Sequence, residues 1–436
     1  MVAALDYESA LPARANNGKR SVLMIAFHYP PLSGGSGIQR TLKFSRYLPD
    51  HGWQPVVLSA NARAFPQIGN DLIHEVPDNV SVRRAFALDT ARHLSLSGSY
   101  LSWMALPDRW VSWWLGGVPA GLRLIRVHRP EVIFSTYPIA TAHLIGLTLH
   151  RLTGIPWVAD FRDSMTEESY PPDVLTRRCY RWIESQVVRY SSRLIFTARS
   201  AKEMYLSRYP GLRSDKCLLI PNGYDEENFK DLIIPGPVKN TGAHPIRLIH
   251  AGLIYPEERD PRPFFRALLR LQQAGEVSAR NLRVELRASG SEDYYRKIIH
   301  ELEIADLVHL LPPLPYHESL QDCAYADALL LFQAASCNHQ IPAKVYEYLR
   351  LRRPILALTD EIGDTAALLR ETGGATIVSP SDEQAIYQGL GNFLRTVRDG
   401  TFPLPGMQRV ERYTRKNQTR DLATCLLDVV KPELSV

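Results

Sequence analysis

SVLMIAFHYPPLSGGSGIQRTLKF occupies residues 21–44. It holds a short apolar run that ends at Pro30 and Pro31, then a glycine-rich loop, then polar and apolar residues recurring at helical spacing. Lys19 and Arg20 precede the run as they would in a secretory leader. The run is too short for a leader core and meets His28 and the prolines instead of a small-residue cleavage site, so it reads as a strand. Strand, glycine loop and helix form the opening unit of a parallel α/β sheet.

The same alternation continues outward along the chain. Further strands are expected at 54–60, 81–85, 131–137, 157–161, 193–198 and 216–221, and in the second half at 247–252, 282–290, 308–313, 328–334, 354–358 and 375–380. Two such series imply two doubly wound, Rossmann-like parallel sheets. Between them lies PNGYDEENFKDLIIPGPVKNTGAHP (221–245), rich in Pro, Gly, Asn and charge, which reads as a domain linker. The expected division is a flexible N-terminus (1–20), a first domain (21–228), a second domain (229–408) and a final helical segment (409–436) crossing back to the first. Ligands of doubly wound sheets bind at the carboxyl ends of the strands, so two facing sheets would hold a site in the cleft between them.

The opening loop is not a dinucleotide fingerprint. Arg40 stands where the third glycine should be, and the second strand ends Leu58-Ser59-Ala60 without a carboxylate for a ribose. Gly-Lys-Ser/Thr, needed for a Walker loop, is absent. Two readings stay open: a tight turn, or a phosphate cradle in which glycines let backbone N–H groups approach an anion at the helix start near Ile38.

Composition bounds the function. The 436 residues are 45% apolar and 22% charged, ordinary for a globular protein, and the length suggests two domains. Five scattered cysteines without a C-x-x-C pair fit a reducing, cytoplasmic setting and argue against a zinc cluster or disulfide framework. The longest apolar stretch, PIATAHLIGLTLHRLTGIPWV, is broken by His143, His150 and Arg151, so no spanning helix is expected. The net charge of +5 is concentrated in residues 1–228, with 26 Lys+Arg against 20 Asp+Glu; residues 229–436 hold 25 against 26. A solvated surface accounts for that excess, and so does a face resting on anionic lipid. The charge is too modest, without a recognised motif, for nucleic-acid binding.

CNHQIPAKVYEYLRLRRPILALTD (337–360) carries the chemistry of the second half. A proline starts a helix bearing Lys344 and Glu347, and a buried strand follows a basic break. Three residues apart, these two lie on adjacent faces of one turn, and alone an ordinary ion pair explains them. The segment resembles the donor-binding motif of retaining glycosyltransferases of family 4, which have the GT-B fold and many of whose members build bacterial polysaccharides and glycans. Four further stretches match in the family's order: Pro30, Pro31, Gly34 and Gly35; Val158–Asp163 (VADFRD); Ile220–Asp225 (IPNGYD); and His250–Phe264, which opens the second domain.

The resemblance implies site roles. Glu347 corresponds to the glutamate that holds the donor ribose. Arg259 and Lys344 are partners for the diphosphate, and Gly34 and Gly35 match the loop that approaches donor phosphate and acceptor. Asn338 and Pro342 flank the donor. The chain departs from the family at His339, where a second glutamate is usual, and at Leu253, where many members carry a basic residue; a neutral imidazole at 339 can still bind a sugar hydroxyl. Asp160, Arg162 and Asp163, with Tyr137 nearby, are expected to face the acceptor; the alternative is that Arg162 merely pairs with a neighbouring carboxylate.

The activity so implied is transfer of a hexosyl unit from a nucleotide sugar to a hydroxyl of a saccharide or lipid-linked acceptor, with retention at the anomeric carbon. No cofactor or metal is expected, since this fold uses helix ends and basic side chains and no Asp-x-Asp motif occurs. The competing readings are a catalytically silent nucleotide-sugar-binding scaffold and a nucleotide-sugar epimerase of the same fold. SYLSWMALPDRWVSWWLGG (99–117) places Trp103, Trp110, Trp113 and Trp114 beside Arg109, and either packs a helix onto the sheet or rests on the inner leaflet of a membrane.

Overall fold

The computed structural model describes residues 20–33, 37–70, 72–96, 99–168, 170–236, 244–256 and 259–431. The chain forms two compact units, residues 1–221 with 415–436, and residues 222–414.

The first unit holds β1 (Arg20–Ile25), α1 (Gly37–Tyr47), β2 (Trp53–Ala60), β3 (Ser81–Ala85), α2 (Thr90–His93), α3 (Ser112–His128), β4 (Val132–Thr136), α4 (Ala140–Thr153), β5 (Trp157–Arg162), α5 (Val174–Tyr190), β6 (Arg193–Phe196), α6 (Arg199–Arg208) and β7 (Cys217–Leu219). All strands pair in parallel, in the order β3-β2-β1-β4-β5-β6-β7. The second unit holds β8 (Ile246–Ala251), α7 (Arg262–Gln273), β9 (Leu282–Arg287), α8 (Glu292–Glu301), β10 (Val308–Leu311), α9 (Tyr316–Tyr325), β11 (Ala328–Phe332), α10 (Ala343–Leu351), β12 (Ile355–Leu358), α11 (Asp364–Thr372), β13 (Ala375–Val378), α12 (Glu383–Arg398) and α13 (Met407–Val410). Its parallel order is β10-β9-β8-β11-β12-β13.

Both expected Rossmann-like sheets are therefore present. Strands such as β4 and β11 are buried at every position, because helices cover both faces of a parallel sheet, and this is why they read as unbroken apolar runs. In the first unit α3 to α6 cover one face, with Trp113, Ile145, Ile183 and Tyr205 in the core. On the other face α1 packs with the final helix α14 (Arg415–Val430), through Leu42 and Phe44 against Leu422 and Leu426. In the second unit α7, α8 and α12 share one core and α9, α10 and α11 the other.

The linker reading of 221–245 is corrected over its first part. Tyr224, Phe229 and Leu232 are buried in the second unit's core, so the boundary falls at Pro221 rather than after 228. Residues 1–19 and 237–243 lie outside the described residues. Among the described residues, no helix is long and apolar enough to cross a membrane.

Candidate functional site

In each sheet the strand order reverses beside the first strand, between β1 and β4 and between β8 and β11, which is where doubly wound folds open a crevice at the carboxyl ends. The singled-out residues of the second unit gather there. β8 ends at Ala251, and Gly252 follows with φ +110°, a conformation that L side chains rarely adopt. A Cβ at Gly252 would also stand 2.8 Å from Lys344 Nζ. Lys344, on the first turn of α10, donates to the Ala251 carbonyl across 2.6 Å and lies 3.3 Å from His250 Nε2.

His250 is fully buried, and its Nδ1 meets the Leu330 carbonyl at 2.9 Å. Nδ1 must donate to that carbonyl, which leaves Nε2 as an acceptor for the ammonium. Burial, and then the charge of Lys344, hold His250 well below its ordinary value, so the imidazole is neutral. Burial, and then Arg259, bring Lys344 down to about 8. Arg259 is half-buried, donates to the Leu253 carbonyl at 3.2 Å, lies 5.4 Å from the centre of the Tyr255 ring, and has a buried Nε without a partner. A desolvated ammonium near a guanidinium is costly and is relieved by an anion.

Glu347, one turn further along α10, accepts a 2.6 Å hydrogen bond from the Tyr316 hydroxyl. No ion pair joins it to Lys344 among the described residues, so the three-residue spacing serves two different contacts. The loop 337–342 is held from beneath by Gln333, which donates to the carbonyls of Cys337 (2.9 Å) and Gln340 (2.8 Å) and accepts from Thr359 (3.2 Å). Asn338 donates to Asp360 at 2.7 Å, and Asp364 N donates to the Asn338 carbonyl at 3.3 Å. His339 and Pro342 are half-buried on this loop. Gln333 carries no sequence signal beyond its position at a strand end, while His250 and Asp360 stand at the ends of stretches that the resemblance covers without giving either a role.

In the first unit, Gly34 and Gly35 lie outside the described residues. Next to them, Arg162 donates to the Gly37 carbonyl at 2.8 Å from a left-handed backbone, φ +55°, where the β5–β6 register shifts. Such strain in a non-glycine residue concentrates at functional sites. A Cβ at Gly37 would stand 2.7 Å from His28 Nδ1 and 3.3 Å from Arg162, so the helix start is closely fitted to both side chains. His28, half-buried after β1, is pushed down to about 4 by burial and then by Arg162. Sequence reading used His28 only to end the first strand. Asp163 is half-buried, with its carboxyl raised by burial against the opposing pull of Arg162.

Two of the acceptor-side expectations are corrected. Asp160 is fully buried: Arg40 donates to it twice, Nε to Oδ2 at 2.9 Å and Nη2 to Oδ1 at 3.0 Å, and Thr136 donates at 2.9 Å. Its carboxylate is closed off from solvent and engaged by three interior donors, so it serves the interior rather than an acceptor. Arg40 further donates to the carbonyls of Ile220 and Pro221, so the pair ties α1, β4, β5 and the end of the unit together. Tyr137 is 2% exposed, edge-on to Tyr180 and stacked on His143, which makes it part of the core.

The tryptophan stretch does not form one face. Trp113 is in the core, and Trp110 donates to the Ala64 carbonyl under Arg109, itself paired with Asp89. Only Trp103 and Trp114 are exposed.

Residues 35–223 match the family model described as "Glycosyl transferase 4-like domain". No curated protein matches the chain. Among solved structures, the sucrose-phosphate synthase of Thermosynechococcus elongatus is similar at TM-score 0.64 and 13% identity, covering 95% of this chain and 100% of that one. The HepE protein of Anabaena, in complex with UDP and glucose, is similar at TM-score 0.62 and 14% identity over 94% and 100%. A putative UDP-N-acetylglucosamine 2-epimerase from Listeria monocytogenes is similar at TM-score 0.53 and 12% identity over 96% and 97%. At these identities the likeness is one of fold, the two-sheet architecture of the GT-B type.

Proposed function

We propose that the chain is a glycosyltransferase that moves a sugar from a nucleotide-sugar donor to a hydroxyl with retention at the anomeric carbon. The observation that carries this reading is the desolvated cation pair Lys344 and Arg259 at the carboxyl end of β8, with Glu347 one turn away on α10. A diphosphate beside the two cations and a ribose hydroxyl on Glu347 would satisfy both. The family match and a fold neighbour that holds UDP and glucose support it.

In the reaction the bond between the anomeric carbon and the diphosphate oxygen breaks, and the acceptor oxygen bonds to that carbon on the same face. The acceptor proton passes to the leaving phosphate. Lys344 and Arg259 would stabilise the charge that grows on the leaving diphosphate, an effect of about 3–4 kcal/mol for one well-placed donor. His339 and Asn338 would contact the sugar, and Pro342 would fix the start of α10. On the acceptor side, Arg162 and Asp163 would orient the attacking hydroxyl, and Gly34 and Gly35 would let the backbone approach it. No metal is needed in this scheme. We take the acceptor to be a saccharide carried on a lipid at the inner face of a membrane, and the protein to be cytoplasmic.

The fold is shared with a putative epimerase, so the test must separate transfer from epimerisation. UDP-, GDP-, ADP- and dTDP-sugars are screened by thermal shift with EDTA present, and the stabilising donor is then followed for release of free sugar. A selective shift with slow release of nucleoside diphosphate and sugar supports transfer. Conversion to an epimeric sugar without transfer indicates the epimerase, a shift without turnover indicates a scaffold, and no shift removes the donor site.

A further inference from the structure

The helices α3, α4 and α5 lie side by side on one face of the first unit's sheet. Across their residues, 112–128, 140–153 and 174–190, the sequence has a single carboxylate, Glu184, and it is buried. Glu184 accepts hydrogen bonds from Thr166, Tyr205, Arg208 and Tyr209, so it belongs to the interior. The outward faces of these three helices therefore carry no carboxylate, and an exposed one, Asp173, stands at the cap of α5.

It does carry cations and apolar side chains in register. On α5 the exposed positions Leu175, Arg178, Trp182 and Arg189, spaced three, four and seven residues apart, share one side and alternate with the buried Tyr180, Ile183 and Val187. Trp182 is 54% exposed. On α3, Leu115, Arg123, Arg126 and Val127 form the corresponding outward stripe, opposite the buried Trp113 and Leu124. α4 adds Arg151 and Leu152 at its end, and Leu115 and Leu152 are more than three-fifths exposed.

Cations on several other surfaces of the chain do meet carboxylates. On α8, Arg296 pairs with Asp293 and Lys297 with Glu301, and on the opposite face of the first unit Lys43 and Arg46 both meet Glu75. Among the described residues, no carboxylate pairs with Arg123, Arg126, Arg178 or Arg181.

We propose that the α3–α4–α5 layer is a docking face for an anionic phospholipid bilayer. Unpaired guanidinium groups beside exposed indole and leucine side chains match both parts of such a surface, the charged headgroups and the acyl boundary beneath them. An acidic protein or a nucleic acid would match the arginines and leave the leucines and Trp182 in water. This adds a surface to the lipid-linked acceptor reading but rests on its own observation. Vesicle binding is read without a donor, so its failure leaves the transfer reading intact.

The test is flotation of the full chain with vesicles of phosphatidylcholine alone and with equal parts phosphatidylcholine and phosphatidylglycerol. The wild type is expected to float with the anionic vesicles and not with the neutral ones. The triple variant Arg126→Glu, Arg178→Glu, Arg181→Glu should lower the bound fraction ~10-fold. The double variant Leu152→Ala, Trp182→Ala, which keeps every charge, should lower it roughly 3- to 10-fold. Arg280→Glu on the second unit should leave it unchanged. No flotation with anionic vesicles, equal flotation with neutral ones, or binding that survives the triple substitution would overturn the proposal.

Discussion

The ammonium of Lys344 lies 2.6 Å from the carbonyl oxygen of Ala251, at the end of the strand that begins the second sheet. The contact satisfies one of its three protons, and neutral His250 takes another at 3.3 Å. Neither partner carries negative charge, while Arg259 opposes the ammonium from nearby. The side chain is thus held charged at neutral pH at an electrostatic cost that the more distant Glu347 offsets only in part, and on the proposed function a diphosphate would offset the rest.

From this follows a pH dependence with opposite signs in the free and bound protein. Lys344 titrates at about 8, below the 10.5 of an ordinary lysine. Between these values the unfolded chain binds more protons than the folded one, so this group makes the free protein more stable as pH rises. Donor binding needs the proton, so affinity should be flat below pH 8 and fall about tenfold per unit above it. Calorimetric titration of the stabilising donor at several pH values reads this, with Lys344→Arg as the reference in which the ligand's own ionisation is unchanged. Parallel profiles for the two proteins would remove Lys344 from the phosphate.

Lys344→Ala and Arg259→Ala should each lower kcat/KM for the donor about 10²- to 10³-fold, the range for removal of one donor of charge-stabilising hydrogen bonds. The chain should stay folded, since among the described residues the two side chains meet backbone carbonyls, His250 and the Tyr255 ring rather than a carboxylate. Unchanged kinetics in both, with circular dichroism showing intact secondary structure, would end the phosphate assignment.

Tyr316 and Glu347 offer a finer probe. Tyr316→Phe removes one hydrogen bond to the carboxylate and should raise the donor KM about 3- to 10-fold with kcat nearly kept. Glu347→Ala removes the carboxylate itself and should raise KM about 10- to 100-fold. A drop in kcat at constant KM for Glu347→Ala would instead place this residue at the reacting carbon.

The central strands were legible because parallel strands covered on both faces read as apolar runs, and all thirteen strands overlap the expected segments, including the edge strand β3, whose Arg83 and Arg84 break the apolar pattern. Their ends were less legible: β4 stops at Thr136 although Tyr137 continues the apolar pattern, because Tyr137 turns into the core between Tyr180 and His143. Helical phase, not composition, divided the tryptophans: on α3 one residue's rotation puts Trp113 inside and Trp114 outside. Asp160 could not be placed from sequence, since a carboxylate at a strand end looks the same whether it meets a substrate or an arginine 120 residues earlier. Arg40 was visible only as the residue that breaks a glycine pattern.

That arginine supplies the last prediction. Arg40 and Asp160 form a buried pair with side chains 1% and 0% exposed, tied further to Thr136 and to the carbonyls of Ile220 and Pro221. Removing one partner leaves a buried charge unmatched, so Arg40→Ala or Asp160→Ala should each destabilise the first unit by about 3–5 kcal/mol. The double variant Arg40→Met, Asp160→Leu removes both charges and restores volume, and should recover most of that loss. Urea unfolding of the three variants, followed by the fluorescence of the buried Trp113 and Trp157, reads the difference. An Asp160→Ala protein that unfolds like the wild type but transfers no sugar would return Asp160 to the acceptor side.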